Sequence, residues 1–401
     1  MSEPVRVKRI EVKGLFGLYD HTIDLKMEDR VTILHGPNGI GKTALLRMVK
    51  AALEVDPVKV AAKPFRLFRL ECTDGTVLEI EPSYNGRMPV HSWPPHKLRF
   101  TLVRAGQSHN VKLWMPKKRR SIGPVPMADS KSELPEWLVE FSRLIPTRLI
   151  ETQRLIVENA DPRSLSVDWI SNDLVRRNTE TITQYGRQTQ ELSLTFPQRV
   201  LRSNGRTPDI EELRRGIRLV QSELEKLGQL GLSSAERDLA AAPLTDPELQ
   251  SADPTKLSMI AQYVADQDRA LGAFRELSAK VALFEKALAS KLRGKSVRFA
   301  QDGGLAVTDS LGSDLPVSSL SSGEQHEIVL LYEMLFLSPQ GTLLLIDEPE
   351  ISMHIMWQKQ FVGDIAEVAN LVKLDVLAAT HSPFIADERS DLMVALRFGA
   401  K

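Results

Sequence analysis

The sequence predicts an α/β fold that holds a phosphate-binding loop and carries a helical insertion. Residues 31–34 form a short apolar run rich in β-branched side chains, a glycine-rich loop follows, and a helical pattern begins at Lys42. Residues 342–346 and 375–379 are two more apolar runs that predict buried strands. Between the two ends of the chain, residues 167–292 have a helical composition. The sequence therefore predicts α/β segments at both ends of the chain and a helical region between them.

Alternating patterns predict further strands in the first part of the chain. Residues 5–12 and 23–25 alternate apolar with polar or charged side chains, as half-buried strands do. Residues 65–115 predict a β meander, because short strands are separated by glycine-containing turns. The meander strands are predicted at 65–72, 76–80, 98–103 and 111–114.

The later elements follow from apolar periodicity. From Leu257 to Leu292, apolar residues recur at three- and four-residue steps, which predicts one amphipathic helix of roughly 35 residues. Packing of that stripe within its own domain is the favoured interpretation, with partner binding as the alternative. The remaining predicted elements are two short strands around Gly303-Gly304, a helix at 323–337, a strand at 342–346, a helix at 354–370 and a strand at 375–379.

Composition excludes several classes of protein. The 401 residues include 52 Lys and Arg against 52 Asp and Glu, and 42% are hydrophobic, which excludes disorder and disfavours a strongly basic nucleic-acid binder. The zero net charge is a cancellation: residues 1–150 carry 25 basic against 16 acidic side chains, and residues 301–401 carry 5 against 15. Cys72 is the only cysteine, which excludes an intrachain disulfide. With no apolar run long enough to span a bilayer, we expect a cytoplasmic protein without membrane anchoring.

Residues 36–43, Gly-Pro-Asn-Gly-Ile-Gly-Lys-Thr, match the pattern G-x-x-x-x-G-K-[ST] at every constrained position. Backbone N–H groups from Asn38, Gly39 and Gly41 can turn inward around phosphate oxygens at a helix N-terminus. Lys42 supplies a charge to the β- and γ-phosphates, and the Thr43 hydroxyl is a ligand for Mg²⁺. An ordinary glycine turn is the alternative, but the position between a strand and a helix favours a nucleotide site.

A second motif supports the first. The apolar strand at 342–346 ends in Asp347 and Glu348. Asp347 is expected beside the loop, where it can hold Mg²⁺ directly or through water, and Glu348 can polarise an attacking water. Solvated carboxylates at a strand end are the alternative for this motif alone. Together with the loop, the pair predicts nucleotide hydrolysis.

Five motifs follow one another in the order used by ABC-type ATPase heads of the SMC/RecF/OLD-like branch. They are the P-loop, a strand ending at Gln153, Leu-Ser-Ser-Gly-Glu-Gln at 320–325, Asp-Glu-Pro-Glu at 347–350 and Ala-Thr-His-Ser at 379–382. The sequence resembles that branch over residues 1–155 and 295–401. The resemblance implies an ABC-type head, a mixed sheet with a β-meander lobe, formed by those two parts, with 156–294 as an inserted helical lobe. It also implies a Mg²⁺-dependent ATPase that binds ATP and Mg²⁺.

The same resemblance implies roles for individual residues. Gln153 would contact Mg²⁺ and sense the γ-phosphate, and His381 would contact the γ-phosphate as a catalytic residue beside Glu348 and Lys42. Ser321 and Gly323 would contact a nucleotide held by another subunit. Heads of this type complete each site with two chains, so the resemblance implies a head-to-tail homo-oligomer, at least a dimer.

Residues 12–21, 35–39 and 381–385 resemble small prokaryotic ATPases of phage-defence systems, including the ATPase subunits of PARIS systems. Those subunits assemble as oligomers and hold a separate TOPRIM-type nuclease until a phage protein triggers its release. The resemblance implies a sensor or scaffold that responds to a phage trigger protein in antiviral defence. Because this sequence has only 20 residues after His381, we expect the nuclease on a separate chain.

Other functions stay open. A RecF-like clamp, in which an ATP-bound dimer grips duplex DNA during repair, is the main alternative. Its candidate surface is the basic run at 117–120 with Lys112 nearby, although such a run is usually a solvated face. Whether DNA is bound is not decided by the sequence. An interaction module with a degenerate site is disfavoured, because no catalytic position is missing.

The phosphate-binding loop yields the first testable prediction. We expect Lys42→Ala to abolish nucleotide binding, because the variant lacks the cation that faces the β- and γ-phosphates. Titration calorimetry with ATP measures the effect. Wild-type affinity in this variant would contradict the assignment of residues 36–43 as the nucleotide site.

Overall fold

The computed structural model describes residues 3–83, 95, 97–114, 134–151, 166–202, 208–232, 246–292, 294–300, 304–316, 319–385 and 389–397. Gln153 and the basic run at 117–120 lie outside these ranges. The chain divides into two compact units: unit 1 is Met1–Pro162 with Glu333–Lys401, and unit 2 is Arg163–Tyr332. Over the described ranges, no helix has the length and apolar character needed to cross a membrane.

The strands and helices are labelled in chain order. The strands are β1 (Val7–Leu15), β2 (Tyr19–Asp24), β3 (Val31–His35), β4 (Leu67–Cys72), β5 (Val77–Ser83), β6 (Lys97–Arg104), β7 (Gln107–Trp114), β8 (Thr147–Glu151), β9 (Lys295–Ala300), β10 (Gly304–Asp309), β11 (Asp314–Leu315), β12 (Leu343–Asp347), β13 (Asp375–Thr380) and β14 (Met393–Ala395). The helices are α1 (Lys42–Leu53), α2 (Pro57–Val60), α3 (Glu136–Leu144), α4 (Val167–Arg202), α5 (Ile210–Gln229), α6 (Asp246–Ser251), α7 (Pro254–Leu271), α8 (Arg275–Ala289), α9 (Ser322–Tyr332) and α10 (Ile355–Val372).

A parallel sheet positions the site in unit 1. In the described part of the chain it has five strands in the order β14-β3-β13-β12-β8. Every residue of β12 and β13 is buried, which explains why both strands are continuous apolar runs in the sequence. Because all the strands run the same way, their carboxyl ends share one edge. Asp347 therefore pairs with Ala379 on one side and with Glu151 on the other.

A separate antiparallel sheet contains the predicted β meander. Within the described ranges it has six strands in the order β2-β1-β4-β5-β6-β7. Two of its turns use Gly75 and Gly106 with positive φ, as predicted; the third predicted turn, at 85–86, lies outside the described residues. The α/β class and the meander are thus confirmed, with the strands divided between two sheets. Helix α1 and the inner faces of both sheets share one apolar core.

Unit 2 combines helices with a small sheet of strands β11-β10-β9, as far as its residues are described. Strand β9 packs against α8, β10 against α4, and α9 against both α4 and α8. A buried ion pair joins Lys291, just after α8, to Glu327 of α9. These contacts place 295–332 with the helices, whereas the resemblance assigned 295–401 to the head. The predicted boundaries of the inserted helical lobe, after residue 155 and after residue 294, stay a prediction.

Two predicted helices differ from the observed ones. The stripe from Leu257 to Leu292 is not one helix: α7 ends at Leu271, Gly272–Phe274 forms a 3₁₀ turn, and α8 begins at Arg275. The apolar period continues through the turn because Phe274 is buried there, so the pattern alone did not show the interruption. The helix predicted at 323–337 is α-helical to Tyr332, and Glu333–Leu337 forms a π-helical turn.

One buried carboxylate ties three segments of unit 1 together. Asp375, the first residue of β13, accepts hydrogen bonds from Arg6 Nε at 2.7 Å and from a second nitrogen of the same guanidinium. The guanidinium of Arg30 lies 3.7 Å from the same carboxylate. Arg6 precedes β1 and Arg30 precedes β3, so Asp375 links the antiparallel sheet to two strands of the parallel sheet.

We expect Asp375→Ala to lower the free energy of unfolding by about 3 kcal/mol, because two largely buried guanidinium groups lose their anion. Asp24→Ala is the matched control: its pair with Arg9 is exposed, with side-chain exposures of 70% and 45%, and its removal is expected to cost under about 1 kcal/mol. Urea denaturation followed by circular dichroism measures both. Equal decreases in the free energy of unfolding in the two variants would show that the Asp375 cluster stabilises the fold no more than an exposed ion pair does.

Candidate functional site

The loop at 36–41 connects β3 to α1 and has a backbone that requires glycine. Gly39 and Gly41 have φ values of 82° and 100°, in the left-handed region that favours glycine. A Cβ atom at Gly41 would also lie 2.7 Å from a methyl carbon of Leu15. The Gly41 carbonyl accepts the Leu45 N–H at 2.8 Å and so starts helix α1. The two glycines of the motif are therefore needed for the shape of the loop.

A cavity of about 420 Å³ lies beside this loop, a size suited to a small-molecule ligand. The predicted binding residues Asn38, Gly39, Gly41, Lys42 and Thr43 all line it, and so does Glu348. Phe16, Lys59 and Lys63 also line it. The sequence pattern does not identify Lys59 and Lys63 as site residues, since nothing around α2 shows that this segment borders the loop.

The Lys42 side chain is held inside the loop. Its Nζ donates to the carbonyl of Gly36 at 2.6 Å and lies 3.3 Å from that of Pro37. Only 7% of the residue is exposed. This burial lowers the pKa of Lys42, while the nearby carboxylates of Glu348, Glu350 and Asp347 act in the opposite direction. The ammonium group is thus held at the loop by two carbonyls and attracted by three nearby carboxylates.

Thr43 and Asp347 meet across the edge of the sheet. The Thr43 hydroxyl donates to Asp347 Oδ1 at 3.0 Å. Burial raises the pKa of Asp347, the Thr43 hydrogen bond lowers it, and the charge of Glu348 raises it further. Behind them, Arg47 Nε donates to Glu151 Oε1 at 2.7 Å. The predicted pair of metal ligands is therefore close enough for both oxygens to contact one ion.

The donor set fits Mg²⁺. Hydroxyl and carboxylate oxygens are its preferred protein ligands, and it usually takes only one or two of them, with phosphate and water completing the octahedron. No group of three or more His, Cys, Asp or Glu side chains in the described part of the chain could hold a metal alone. The site thus suits an ion that arrives with a nucleotide. Gln153, the third predicted ligand, lies outside the described residues.

Glu348 and His381 lie at the same edge. Glu348 has φ 49° and ψ 56°, a strained conformation for a residue with a long side chain, and its N–H donates to Ala379 at 2.9 Å. His381 Nδ1 lies 3.8 Å from Glu348 Oε1 and 3.0 Å from Glu350 Oε1. The two predicted catalytic residues are therefore neighbours, and Glu350 lies beside both.

Glu350 is a site residue to which the sequence analysis gave no role. Its Oε1 accepts the backbone N–H of His381 at 2.8 Å, besides facing the imidazole. The segment after His381 is fixed as well, because the Ser382 hydroxyl donates to Gln358 of α10 at 2.6 Å. The acidic run at 347–350 was the one sequence feature that could have indicated Glu350 as a site residue. Which of its carboxylates reaches His381, however, depends on the 3₁₀ turn Pro349–Ser352.

The predicted signature residues belong to unit 2, at the start of α9. Ser321 and Glu324 form a capping box: the Ser321 N–H donates to Glu324 Oε2 at 2.6 Å, and the Glu324 N–H donates to the Ser321 hydroxyl at 3.3 Å. Lys295 donates to the same Glu324 oxygen at 3.0 Å. Ser321 is exposed and Gly323 half-exposed. Unit 1 thus gathers the P-loop, Asp347, Glu348 and His381, while Ser321 and Gly323 lie in unit 2.

A protein-family model described as "AAA domain, putative AbiEii toxin, Type IV TA system" matches residues 166–387, more than half of the chain. The chain belongs to this AAA-domain family. The match includes the signature segment, the acidic run and His381, and it begins after the P-loop at 36–43.

Solved structures similar to this AAA-family protein include SMC head domains. An Smc head from Pyrococcus furiosus, with an extended coiled coil and bound to the C-terminal domain of ScpA, is 15% identical; the alignment covers 99% of this chain and 95% of that one, with a TM-score of 0.40. An SMC head from Thermotoga maritima is 12% identical, with coverage of 97% and 94% and a TM-score of 0.35. No curated protein matches the sequence at a significant level.

The position of Glu350 beside His381 yields a prediction. We expect Glu350→Gln to lower the ATP turnover number by roughly tenfold or more with little change in nucleotide affinity, because His381 loses the charged acceptor that orients its ring. Steady-state kinetics give both constants. Glu367→Gln, at an exposed position of α10, is the control and should be unchanged. A loss of affinity equal to the loss of turnover would contradict an orienting role.

Proposed function

We propose that the protein is a Mg²⁺-dependent ATPase that works at interfaces between copies of itself and controls a separately encoded nuclease in antiviral defence. One observation carries the ATPase part: Thr43 and Asp347 are joined at 3.0 Å on the same sheet edge that presents Glu348 and His381. Motifs more than three hundred positions apart in the sequence thus meet at one cavity. Membership of an AAA-domain family supports the same activity.

The loop would bind the phosphates. Backbone N–H groups of Asn38, Gly39 and Gly41 would cradle them, and Lys42 would exchange its contacts with loop carbonyls for contacts with β- and γ-phosphate oxygens. The exchange is favourable because a phosphate carries full negative charge where the carbonyls are only dipoles.

The metal ligands would be Thr43 and Asp347, with Gln153 added from the resemblance. When bound, Mg²⁺ neutralises charge on the β- and γ-phosphates. The protein's part is to keep Asp347 ionised and aimed. The Thr43 hydrogen bond helps to do this: it holds the Asp347 carboxyl in place and offsets part of the rise in its pKa that burial causes.

Hydrolysis would use residues of the same edge. Glu348 lines the cavity and is about a quarter exposed, so it can reach a water and accept its proton or orient it. His381 would contact the γ-phosphate, with Glu350 holding the ring and its backbone N–H in place. The two roles are separate, because water activation needs a carboxylate and the contact with the transferred group needs a hydrogen-bond donor.

The oligomeric part of the proposal rests on Ser321 and Gly323. They stand at the N-terminus of α9, where backbone N–H groups and the helix dipole favour an anion. Their exposure leaves them accessible to a nucleotide carried by another copy. ATP bound in this way would stabilise the assembly, and hydrolysis would release it.

The last part of the proposal is the pair of partners, a separately encoded nuclease and a phage trigger protein. They are supported by the resemblance to ATPase subunits of phage-defence systems in residues 12–21 and 381–385. The family description, which names a putative toxin of a Type IV TA system, supports a chain that works as one component of a larger system.

We expect Glu348→Gln to lower ATP turnover by at least roughly a hundredfold and to accumulate an ATP-bound oligomer, because nucleotide binding remains while water activation is lost. Light scattering after size-exclusion chromatography with MgATP measures the assembly. Lys42→Ala is the control that should stay unassembled. Rapid turnover by Glu348→Gln would remove Glu348 as the base.

The same trapped variant tests control of a nuclease. Tagged Glu348→Gln protein, co-expressed with a nuclease encoded beside it, should retain that nuclease during purification with ATP. Retention of duplex DNA in place of a protein partner would favour the clamp over the defence function.

A further inference from the structure

The peptide between Ile40 and Gly41 lies within the phosphate-binding loop, directly before the last glycine of the motif. Ile40 stands between Gly39 and Gly41, both in left-handed conformations. Glycine has few steric barriers to backbone rotation, so the Gly41 side of this peptide is not fixed by local sterics, and a contact from another element can determine its orientation. Ile40 itself is completely buried, whereas both glycines line the cavity.

His21 contacts this peptide from a second element. It lies on β2, where it pairs with Val12 of β1, and only 4% of it is exposed. Its Nε2 is 3.2 Å from the Ile40 carbonyl oxygen. A carbonyl can only accept a hydrogen bond, so the contact requires a proton on Nε2. The ring also stacks on Tyr19, with centroids 5.9 Å apart and planes inclined by 16°.

The surroundings favour a neutral His21 ring. Burial lowers the pKa of His21, and the Ile40 carbonyl and the charge of Asp20 act in the opposite direction. The neutral ring with its proton on Nε2 therefore donates to Ile40 at neutral pH.

Peptide planarity carries the effect of this contact to the other side of the loop. In a trans peptide, the carbonyl of Ile40 and the N–H of Gly41 point in opposite directions. His21 is not among the residues that line the cavity, whereas Gly41 is. Holding the Ile40 carbonyl toward His21 therefore holds the Gly41 N–H toward the cavity. A rotated peptide would instead present the carbonyl dipole to the ligand.

We infer that His21 is a positioning residue for nucleotide binding: through the Ile40 carbonyl, it fixes the Gly41 N–H in the orientation that receives a phosphate oxygen. The inference rests on the proposed function, because it assumes that a nucleoside di- or triphosphate occupies this loop. It adds a residue of the antiparallel sheet, fifteen positions before Gly36 at the start of the motif, to the phosphate site.

Two substitutions distinguish the effect of the His21 hydrogen-bond donor from the effect of its aromatic ring. His21→Phe keeps an aromatic ring on Tyr19 and removes the donor. His21→Gln loses the ring, but its amide nitrogen stands the same number of bonds from Cβ as Nε2 and can donate to Ile40. His109→Phe is the control, because His109 is an exposed histidine of β7 that stacks on Trp137, outside the cavity lining.

We expect His21→Phe to weaken the binding of MgATP and MgADP roughly tenfold, the effect of one buried hydrogen bond, with the turnover number at saturating ATP near the wild-type value. His21→Gln should restore affinity to within about threefold of wild type, and His109→Phe should match wild type. Titration calorimetry gives affinity, steady-state kinetics give turnover, and melting temperatures show whether each variant is folded.

The outcomes are distinguishable. The inference would be overturned if folded His21→Phe bound nucleotide with wild-type affinity. It would also be overturned if folded His21→Gln bound nucleotide as weakly as His21→Phe. If His21→Phe does not fold, His21→Asn replaces it, because the Asn amide is one bond too short to reach Ile40. His21→Asn should then bind nucleotide more weakly than His21→Gln, as expected for His21→Phe. Failure of the wild-type protein to bind ATP would refute the proposed function itself.

Discussion

The parallel register of β3, β13 and β12 is the constraint on which the site depends. His35 pairs with Thr380, and Ala379 pairs with Asp347, so the P-loop, His381 and the acidic run all leave the sheet at one edge. A shift of two residues in either pairing would move the strand end by about 7 Å and separate Thr43 from Asp347. The register is stabilised from outside the sheet, because Asp375 at the start of β13 is paired with Arg6 and Arg30.

The same edge brings together oppositely charged residues from the two ends of the chain. Lys42 comes from the basic first part, whereas Asp347, Glu348 and Glu350 come from the acidic last part. Burial lowers the pKa of Lys42, and the charges of the three carboxylates oppose that effect. In the proposed function, a bound phosphate would add further negative charge here, which a divalent cation would offset. Attraction between Lys42 and these carboxylates therefore contributes to holding the two ends of the chain together at the site.

The sequence was sufficient where short-range patterns determine structure. The P-loop, the acidic strand end and the meander were predicted because each depends on spacing within a few residues. The roles of Glu350 and His21 were not, because each depends on a contact between elements far apart in the chain: Glu350 with His381, and His21 with Ile40. The break at Gly272 was missed for the opposite reason, since the local apolar period continues unchanged through it.

The left-handed backbone conformation of Glu348 is strained, and it accompanies a carboxylate that lines the cavity. A left-handed conformation costs a residue with a long side chain about 1–3 kcal/mol, and Asn, Asp or Gly would adopt it with less strain. The conformation is nevertheless held, by the Glu348 N–H donating to Ala379 and by the 3₁₀ turn that begins at Pro349. Aspartate would relieve some strain but place its carboxylate one bond nearer the backbone. The presence of glutamate is therefore best explained by the reach of its carboxylate into the cavity.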